Sequence, residues 1–432
     1  MKNSLGLVFF PAFDWMISPT HPERKERLLY TRDQLTEEGI FDLPQIREYK
    51  PSIAQINDIE RVHIGPKLDK LVTKAHLVSA GGCITAAEAV MHNQVNRSFA
   101  LVRPPGHHAM RVIQGIRGFC TINIEAVMIE YLRQHYGIKK VAIVDTDVHH
   151  GDGTQEIYYN DPNTLFISFH QDGRTLYPGS GFVEELGTPY GFGSTINLPL
   201  LPETGDEGIH LLFDKLIKPI LADFQPDLIV NSAGQDNHFT DPLASMSFTA
   251  QGYARLADKL KADIAVLEGG YSVQQALPYI NTGIILAMAN LDYSKVIEPQ
   301  IPSMFVQPDN CTKHIKKLIN TVGDIWIERE KTRNELLHDC GGQYTQNKHI
   351  YYDESGISEN QQEINYYCDN CDGYTTIITQ VYSSASFIAL IGLNCCTKCA
   401  SKAYDAAYTA KKSSKYSHIF IQDRTQDRLL RL

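Results

Sequence analysis

The sequence lacks an apolar run long enough to cross a bilayer, which takes about 20 consecutive apolar residues in a helix. The N-terminal run from Leu5 to Phe10 follows a lysine, as in a signal peptide, but it is short. Pro11 ends it, and no small-residue cleavage site follows. We therefore expect a buried first strand here, and a protein with neither a membrane span nor a signal peptide.

The sequence also lacks an excess of basic residues, since 40 Lys and Arg face 50 Asp and Glu for a formal net charge of -10. Tight nonspecific binding of nucleic acid needs a positive field, so strong direct nucleic-acid binding is not expected. An acidic surface instead attracts cationic partners such as lysine-rich tails or polyamines. The chain contains no internal repeat and no long low-complexity tract. Its 432 residues, 43% of them hydrophobic, support a large buried core.

The nine cysteines are spread unevenly. Cys83 and Cys120 lie far apart, whereas five crowd the C-terminal end: Cys368, Cys371, Cys395, Cys396 and Cys399. This clustering favours a metal site in a reducing compartment over a disulfide framework. We expect an intracellular protein, cytoplasmic or, if it acts on chromatin, nuclear.

Up to about residue 335, short apolar runs alternate with helical patterns. The predicted strands are rich in Val, Ile and Leu with little alternation: 99–102, 141–144, 165–169, 228–230 and 264–267. This order predicts an α/β fold, a mostly parallel sheet with helices on both faces. Four of the strands run into polar motifs: Arg103-Pro-Pro-Gly-His-His108, Asp145-Thr-Asp-Val-His-His150, Ser232-Ala-Gly-Gln-Asp236 and Glu268-Gly-Gly-Tyr271. Ligands bind beyond the carboxyl ends of parallel strands, so the four motifs are predicted to form one site.

The motif that begins at Asp145 carries candidate metal ligands. In an extended chain Asp145, Asp147 and His149 point the same way. Carboxylates beside an imidazole suit zinc, iron or manganese better than calcium. A catalytic metal that keeps an open position needs a third protein ligand, and Asp236 is the best candidate.

The C-terminal end carries a second candidate metal site. Two Cys-x-x-Cys pairs, Cys368 with Cys371 and Cys396 with Cys399, predict a structural zinc held by four thiolates, although Cys395 could replace Cys396. The runs 375–382 and 387–393 between the pairs are predicted strands of a zinc ribbon, for which a partner-binding role is open. The predicted domains are a catalytic domain at 1–335, a linker at 336–363, a zinc-ribbon-like module at 364–402 and a tail at 403–432.

The motifs of the first 335 residues resemble, in their order, those of the zinc-dependent histone deacetylases. The motifs are Gly106-His-His-Ala109, Gly118-Phe-Cys120, Asp145 to Gly153, Tyr177-Pro-Gly-Ser-Gly181, Ser232 to Asp236 and Glu268-Gly-Gly-Tyr271. The resemblance implies an arginase-like fold. The motifs around His21, Arg103 and Leu267 are more similar to the class II and bacterial branches, which include acetylpolyamine amidohydrolases. Ureohydrolases of the same fold bind two manganese ions, but His238 stands where a second carboxylate is needed, which favours one zinc.

The resemblance also implies roles for individual residues. The catalytic zinc ligands are Asp147, His149 and Asp236. The acid and base are His107, paired with Asp145, and His108, paired with Asp152, while the phenol of Tyr271 stabilises the oxyanion. The substrate-binding residues are Gly118, Phe119, Tyr177 and Leu243. A potassium site is implied at Asp145, Asp147, His149, Ser168 and Phe169.

The resemblance predicts a protein lysine deacetylase that hydrolyses N6-acetyl-lysine in lysine-rich tails such as those of histones, as a chromatin regulator. An acetylpolyamine amidohydrolase is the alternative with the same chemistry, although segment 63–82 is short and shows no obvious acidic residue for the rim. A scaffold that binds acetyl-lysine without cleaving it is the alternative of another class. The presence of all the expected ligands, both histidines and Tyr271 argues against a scaffold.

Overall fold

A computed structural model describes residues 4–301 and 306–432 of the protein. Its larger sheet has eight strands, all paired in parallel, in the order β2-β1-β3-β8-β7-β4-β5-β6. The strands are β1 Leu5–Phe10, β2 Ile46–Tyr49, β3 Arg97–Val102, β4 Val141–Asp145, β5 Thr164–Gln171, β6 Thr195–Leu200, β7 Leu228–Ala233 and β8 Ile264–Leu267. The predicted parallel α/β sheet and its predicted first strand are thus confirmed.

Helices cover both faces of this sheet, and the reason is visible in β4. Its residues are all buried, with Ala142 and Val144 in one hydrophobic cluster and Val141 and Ile143 in the other. The first cluster includes residues of α1 Glu26–Glu37, α7 Asp206–Leu212, α8 Lys218–Phe224, α9 Ala250–Leu260, α10 Leu277–Met288 and α11 Asp309–Asp339. The second includes residues of α2 Ile56–Glu60, α3 Leu68–Leu71, α4 Lys74–Met91, α5 Ile124–Tyr136 and α6 Asp152–Tyr158. No helix among the described residues combines the length and apolar character that a membrane span requires.

The four polar motifs follow the four central strands β3, β8, β7 and β4, which are neighbours in the sheet. Their carboxyl ends therefore lie side by side, and the loops after them converge at one edge of the sheet.

The C-terminal region differs from the predicted linker, module and tail. Residue 335 lies within α11, and the predicted linker contains the end of that helix and strands β9 Gln343–Tyr352 and β10 Ile357–Cys368. The predicted tail contains most of helix α12 Thr397–Lys412 and strands β13 His418–Asp423 and β14 Arg428–Arg431. Together with β11 Cys371–Val381 and β12 Ser384–Ile391, they form a six-stranded sheet in the order β14-β13-β12-β11-β10-β9. The linker prediction and the tail prediction are wrong.

The polar character of β9 and β10 explains the error. The inner face of β10 is buried but polar, formed by Glu359, Gln361, Glu363 and Asn365. These side chains hydrogen-bond to one another and to neighbouring strands; for example, Glu359 accepts from the Tyr352 hydroxyl at 2.7 Å. A buried strand whose inner face is polar has no apolar alternation to reveal it.

One face of this second sheet packs on the larger domain and the other on α12. Ile377, Ile388 and Phe420 bury against Ile64 and Val112 of the larger domain. On the opposite face, Ala403 and Ala407 of α12 pack against Phe387 and Ile421, among others.

Candidate metal and catalytic site

The three predicted ligands of the catalytic metal meet at the carboxyl edge of the large sheet. His149 Nδ1 lies 3.0 Å from Asp147 Oδ1 and 3.2 Å from Asp236 Oδ2. Ligand bonds of about 2.0–2.2 Å in a tetrahedral site put ligand atoms roughly 3.3 Å apart, so these distances fit a zinc ion. The Asp, His and Asp donor set also suits zinc.

The carboxylates of this site are held by backbone N–H groups. Asp147 Oδ2 accepts from Gly269 N at 2.8 Å, and Asp236 Oδ1 accepts from Val148 N at 2.8 Å. Apart from the contact with His149 Nδ1, Asp236 Oδ2 is buried without a hydrogen bond within the described residues. A buried carboxylate oxygen without a hydrogen bond is costly unless a cation binds it, which supports the assignment of a metal site. Gly269 is required beside it, because a Cβ there would lie 2.2 Å from that oxygen.

The two histidines form the predicted pairs. His107 Nδ1 lies 3.1 Å from Asp145 Oδ2, and His108 Nδ1 lies 2.7 Å from Asp152 Oδ1. In each case the contact engages Nδ1 and leaves Nε2 for other partners. Both imidazoles are buried, and their ring centroids lie 4.1 Å apart.

The surroundings shift the pKa values of the histidines in opposite directions. Burial alone would lower the pKa of His107, but the carboxylates of Asp147 and Asp145 raise it well above its usual value. Burial and the charge of His107 lower the pKa of His108 to about 3. Neighbouring groups with separated pKa values suit a division of acid and base roles.

Tyr271 lies on the loop after β8, beside the predicted substrate residues. Its ring stands perpendicular to that of Phe119, with centroids 5.6 Å apart. The Tyr177 ring centroid lies 5.2 Å from that of His108 and 6.3 Å from that of His149. Gly118 packs against His108, since a Cβ there would lie 2.4 Å from its ring. The structure brings these residues together, while Leu243 is half-buried on the loop of Asp241, to which its backbone N–H donates.

The four predicted cysteine ligands form a second group, with their sulfurs within 4.8 Å of one another. Cys368 and Cys371 end β10 and begin β11, whereas Cys396 and Cys399 lie at the start of α12. The hydrogen bond from the Cys399 N–H lowers the pKa of the Cys396 thiol to about 7, which favours the thiolate that binds metal. Cys395 lies outside the group and packs in the cluster under α12. The arrangement is compatible with a zinc ribbon set in a larger sheet.

A family model described as "Histone deacetylase domain" matches residues 67–288, more than half of the chain. The chain belongs to the histone deacetylase family. It is 47% identical over 311 residues to the "Probable deacetylase" of Archaeoglobus fulgidus, covering 66% of this chain and 85% of that protein. It is 43% identical over 202 residues to "Histone deacetylase 10, chloroplastic" of Oryza sativa subsp. japonica, covering 46% of this chain and 45% of the rice protein.

A solved structure supports the fold of this chain. The crystal structure of the HDA15 HD domain is similar with a TM-score of 0.66 at 27% sequence identity. The match covers 78% of this chain and 98% of that one.

The potassium site stays a prediction. Asp145 and Ser168 are register partners on β4 and β5, so two of its five predicted residues are neighbours. The Ser168 hydroxyl is 2.8 Å from Nδ1 of His170, a residue absent from the predicted set.

The sequence did not reveal the residues that hold the loops of this site in position. Glu268 Oε2 accepts from the backbone N–H groups of Gly106 and His107 at 2.7 and 3.1 Å, which fixes the first histidine. Arg27 donates to the Gly270 carbonyl at 2.7 Å, and its guanidinium lies 4.9 Å from the centre of the Tyr271 ring. Glu268 stands in a motif that the sequence singled out and Arg27 does not, and the roles of both depend on contacts between distant segments.

Two more residues, Asp241 and Arg117, also hold the site in position and stand outside the motifs named in the sequence. Asp241 Oδ2 accepts from the backbone N–H of Tyr271 at 2.6 Å and so fixes the loop that carries the phenol. Arg117 donates through Nε to Asp152 Oδ2 at 2.9 Å, so it holds the carboxylate partner of His108.

Proposed function

We propose that this member of the histone deacetylase family is a zinc-dependent protein lysine deacetylase that hydrolyses N6-acetyl-lysine to lysine and acetate. The observation that carries the proposal is the meeting of two His–Asp pairs with the Asp147, His149 and Asp236 group in one buried site. Amide hydrolysis needs those parts: a cation, a base for water and an acid for the leaving amine.

The residues of the chain divide the proton transfers between them. A bound zinc would act as a Lewis acid on the acetyl carbonyl and lower the pKa of water. His107 and His108 engage their carboxylates through Nδ1, so each presents Nε2 to the reacting atoms. A histidine takes a proton from water, whose oxygen attacks the carbonyl carbon. The C–N bond then breaks as a histidine returns a proton to the amine nitrogen, and His108 is the main proton shuttle in this proposal.

The walls of the site suit the substrate. Phe119 and Tyr177 offer aromatic surface to a four-carbon arm, and the Gly118 carbonyl is the proposed acceptor for the substrate amide N–H. The phenol of Tyr271 donates to the acetyl oxygen as negative charge develops there. Acetylated lysine-rich tails, including those of histones, fit the net charge of -10.

A deacetylation screen tests the proposal. Acetylated histone peptides, acetylspermidine and acetylputrescine are compared at equal concentrations, with released acetate as the measurement. We expect turnover of the peptides by the wild type, and its loss in His108→Ala with zinc content unchanged. Turnover of the polyamines alone would identify an acetylpolyamine amidohydrolase, and no turnover by zinc-loaded protein would leave a binding scaffold.

A further inference from the structure

The second sheet reaches the catalytic site through the turn between β9 and β10. This turn, Asp353–Ser355, is one turn of 3-10 helix. Asp353 Oδ1 accepts hydrogen bonds from the Gly118 backbone N–H and the Tyr177 hydroxyl, each at 3.1 Å. Both donors belong to the residues proposed to bind the acetylated arm. The Asp353 carboxylate therefore lies at the edge of the proposed tunnel, 235 residues along the chain from Gly118.

The turn is fixed on both sides. Tyr352, which precedes it, is 1% exposed and packs with Met110 and Ile350. Its hydroxyl donates to the Val112 carbonyl at 2.6 Å. Ser355 Oγ accepts from the Ile116 N–H at 2.9 Å. A carboxylate carried by a turn held in this way is preorganised, so binding a ligand costs little ordering entropy.

Two more contacts join the turn to the site. The Arg117 guanidinium donates both to the Tyr351 carbonyl and to Asp152, the partner of His108. Glu354 Oε1 lies 3.5 Å from Nε2 of His21, whose ring packs edge-on against Phe119 with centroids 4.2 Å apart. The turn thus contacts several walls of the site, and it adds carboxylates without adding a basic residue.

We propose that Asp353 is a specificity-determining residue, which binds a positive charge that the substrate carries beyond its acetylated arm. The inference rests on the proposed function, because it names the substrate class of the same site. Within the described residues both hydrogen bonds that the Asp353 side chain accepts end on Oδ1, and a carboxylate has acceptor capacity on its second oxygen. The required charge is present in a peptide with Lys or Arg beside acetyl-lysine, and in an acetylated polyamine.

The test variant is Asp353→Asn, which keeps an acceptor oxygen for Gly118 and Tyr177 and removes only the charge. Asp405→Asn is the matched control, since Asp405 is exposed on α12 and loses the same charge away from the site. The substrates are an acetyl-lysine peptide flanked by Arg, the same peptide flanked by Glu, and acetylspermidine. The readouts are kcat and KM at low and high salt, together with peptide binding measured by fluorescence anisotropy.

We expect Asp353→Asn to raise the KM of the Arg-flanked peptide roughly three- to tenfold, as for a partly desolvated ion pair. The KM of the Glu-flanked peptide should fall or stay the same, and kcat should change less than KM for both. The salt dependence of KM for the Arg-flanked peptide should also weaken. The control should behave as the wild type. A loss confined to acetylspermidine would support the proposal with the polyamine as the source of the charge.

An equal change of KM for both peptides would overturn the proposal, because Asp353 would then be a positioning residue that does not distinguish substrates by their charge. A gain in kcat/KM for all three substrates would also overturn it, since the turn would then obstruct the site. Failure of the proposed function is distinct: the wild type would cleave none of the substrates. The charge preference would then be decided by binding, where a weaker Arg-flanked complex in Asp353→Asn supports it and equal binding refutes it.

Discussion

Tyr271 shows how single side chains in this site depend on partners from distant segments. The Asp241 carboxylate accepts a hydrogen bond from the Tyr271 backbone N–H. The Arg27 guanidinium lies over the Tyr271 ring, and the Phe119 ring packs against that ring edge-on. Burial raises the pKa of its phenol well above the usual value, so the proton that the proposed hydrogen bond needs stays in place. The Arg27 charge opposes that rise, but its guanidinium is also hydrogen-bonded to the Glu268 and Gly270 carbonyls.

Tyr271→Phe should lower kcat by about 100- to 1000-fold, equivalent to about 2.7–4 kcal/mol of transition-state stabilisation. Substrate binding should change less, because the ground-state carbonyl carries little of the charge that develops later. Steady-state kinetics on an acetyl-lysine peptide measures both effects. The ring and its contacts remain, so the thermal unfolding temperature serves as the control and should hardly move.

A trifluoroacetyl-lysine peptide, whose carbonyl is already activated, should recover part of the lost rate. A Phe variant within about threefold of the wild type on ordinary acetyl-lysine would reduce Tyr271 to a packing residue.

Among the elements of the site, a two-residue hairpin turn of the larger domain makes a contact with the second sheet. Arg117 and Cys120 exchange backbone hydrogen bonds of 3.0 and 2.8 Å around Gly118 and Phe119, whose φ angles are +51° and +69°. Positive φ at both central residues is typical of the tight turns that suit a hairpin. The turn directs Phe119 toward Tyr271 and presents the Gly118 N–H to Asp353.

Gly118→Ala should lower kcat/KM strongly, because its Cβ would lie 2.4 Å from His108 and 3.0 Å from Tyr177. The matched control is Gly137→Ala, at a residue of φ +69° where a Cβ meets nothing within 4 Å. Each substitution should cost about 1–2 kcal/mol in free energy of unfolding through the left-handed backbone conformation. Only Gly118→Ala should lose activity, and urea unfolding with kinetics on both variants measures the difference. Equal loss of activity in the two would mean that the contact with His108 does not matter.

The elements that the sequence predicts correctly bury apolar side chains, whereas the elements that it does not predict bury polar ones. Strands such as β4 are apolar on both faces, and their polar ends mark the site, so the sheet and the ligand groups could be predicted. The inner face of β10 is polar, and its side chains hydrogen-bond to one another and to a neighbouring strand, so its pattern predicts a linker instead of a strand. The contact of Asp353 with Gly118 depends on how two domains pack, which no local pattern records.

At the scale of the whole molecule, ion pairs tie the second sheet to the larger domain. Arg424 donates to Glu130 of α5, which also accepts from Arg133 at 2.9 Å. Burial alone would raise the pKa of Glu130, but the charges of Arg424 and Arg133 lower it to about 2. A carboxylate whose pKa is lowered on folding stabilises the fold above its unfolded pKa, and this contribution is lost as the pH falls through the folded value.

Glu130→Gln should therefore lower the free energy of unfolding by about 3 kcal/mol at pH 7, because it leaves a buried arginine without its carboxylate. The difference from the wild type should shrink as the pH falls from about 4.5 toward 2, where Glu130 becomes protonated in both states. Urea unfolding of both proteins at a series of pH values measures this difference in free energy of unfolding. Glu335→Gln, at an exposed position on α11, is the control and should show no such trend. A difference that stays constant across this pH range would remove Glu130 from the pH dependence.

Strand β10 connects the cysteine group with the turn at the rim of the candidate catalytic site. β10 begins just after the turn that carries Asp353 and ends at Cys368, so the cysteine site and the rim of the catalytic site share a single strand. We predict two zinc ions per chain, one held by Asp147, His149 and Asp236 and one by the four thiolates. Loss of the structural zinc should loosen the end of β10 and, through it, the turn at the catalytic site.

Cys368→Ser should therefore contain one zinc and show a lower kcat/KM, although it keeps all the catalytic ligands. Cys395→Ser is the matched control, because Cys395 is next to the cluster but outside it, and this variant should keep both ions and full activity. Elemental analysis of the metal-replete proteins, with kinetics on the same samples, measures both effects. A single zinc in the wild type that survives Cys368→Ser would refute the cysteine site. Two zinc ions in the wild type and one in Cys368→Ser, at unchanged activity, would keep that site but separate it from the catalytic one. The turn would then be held by its contacts with the larger domain, such as those with Val112 and Ile116, without help from the zinc.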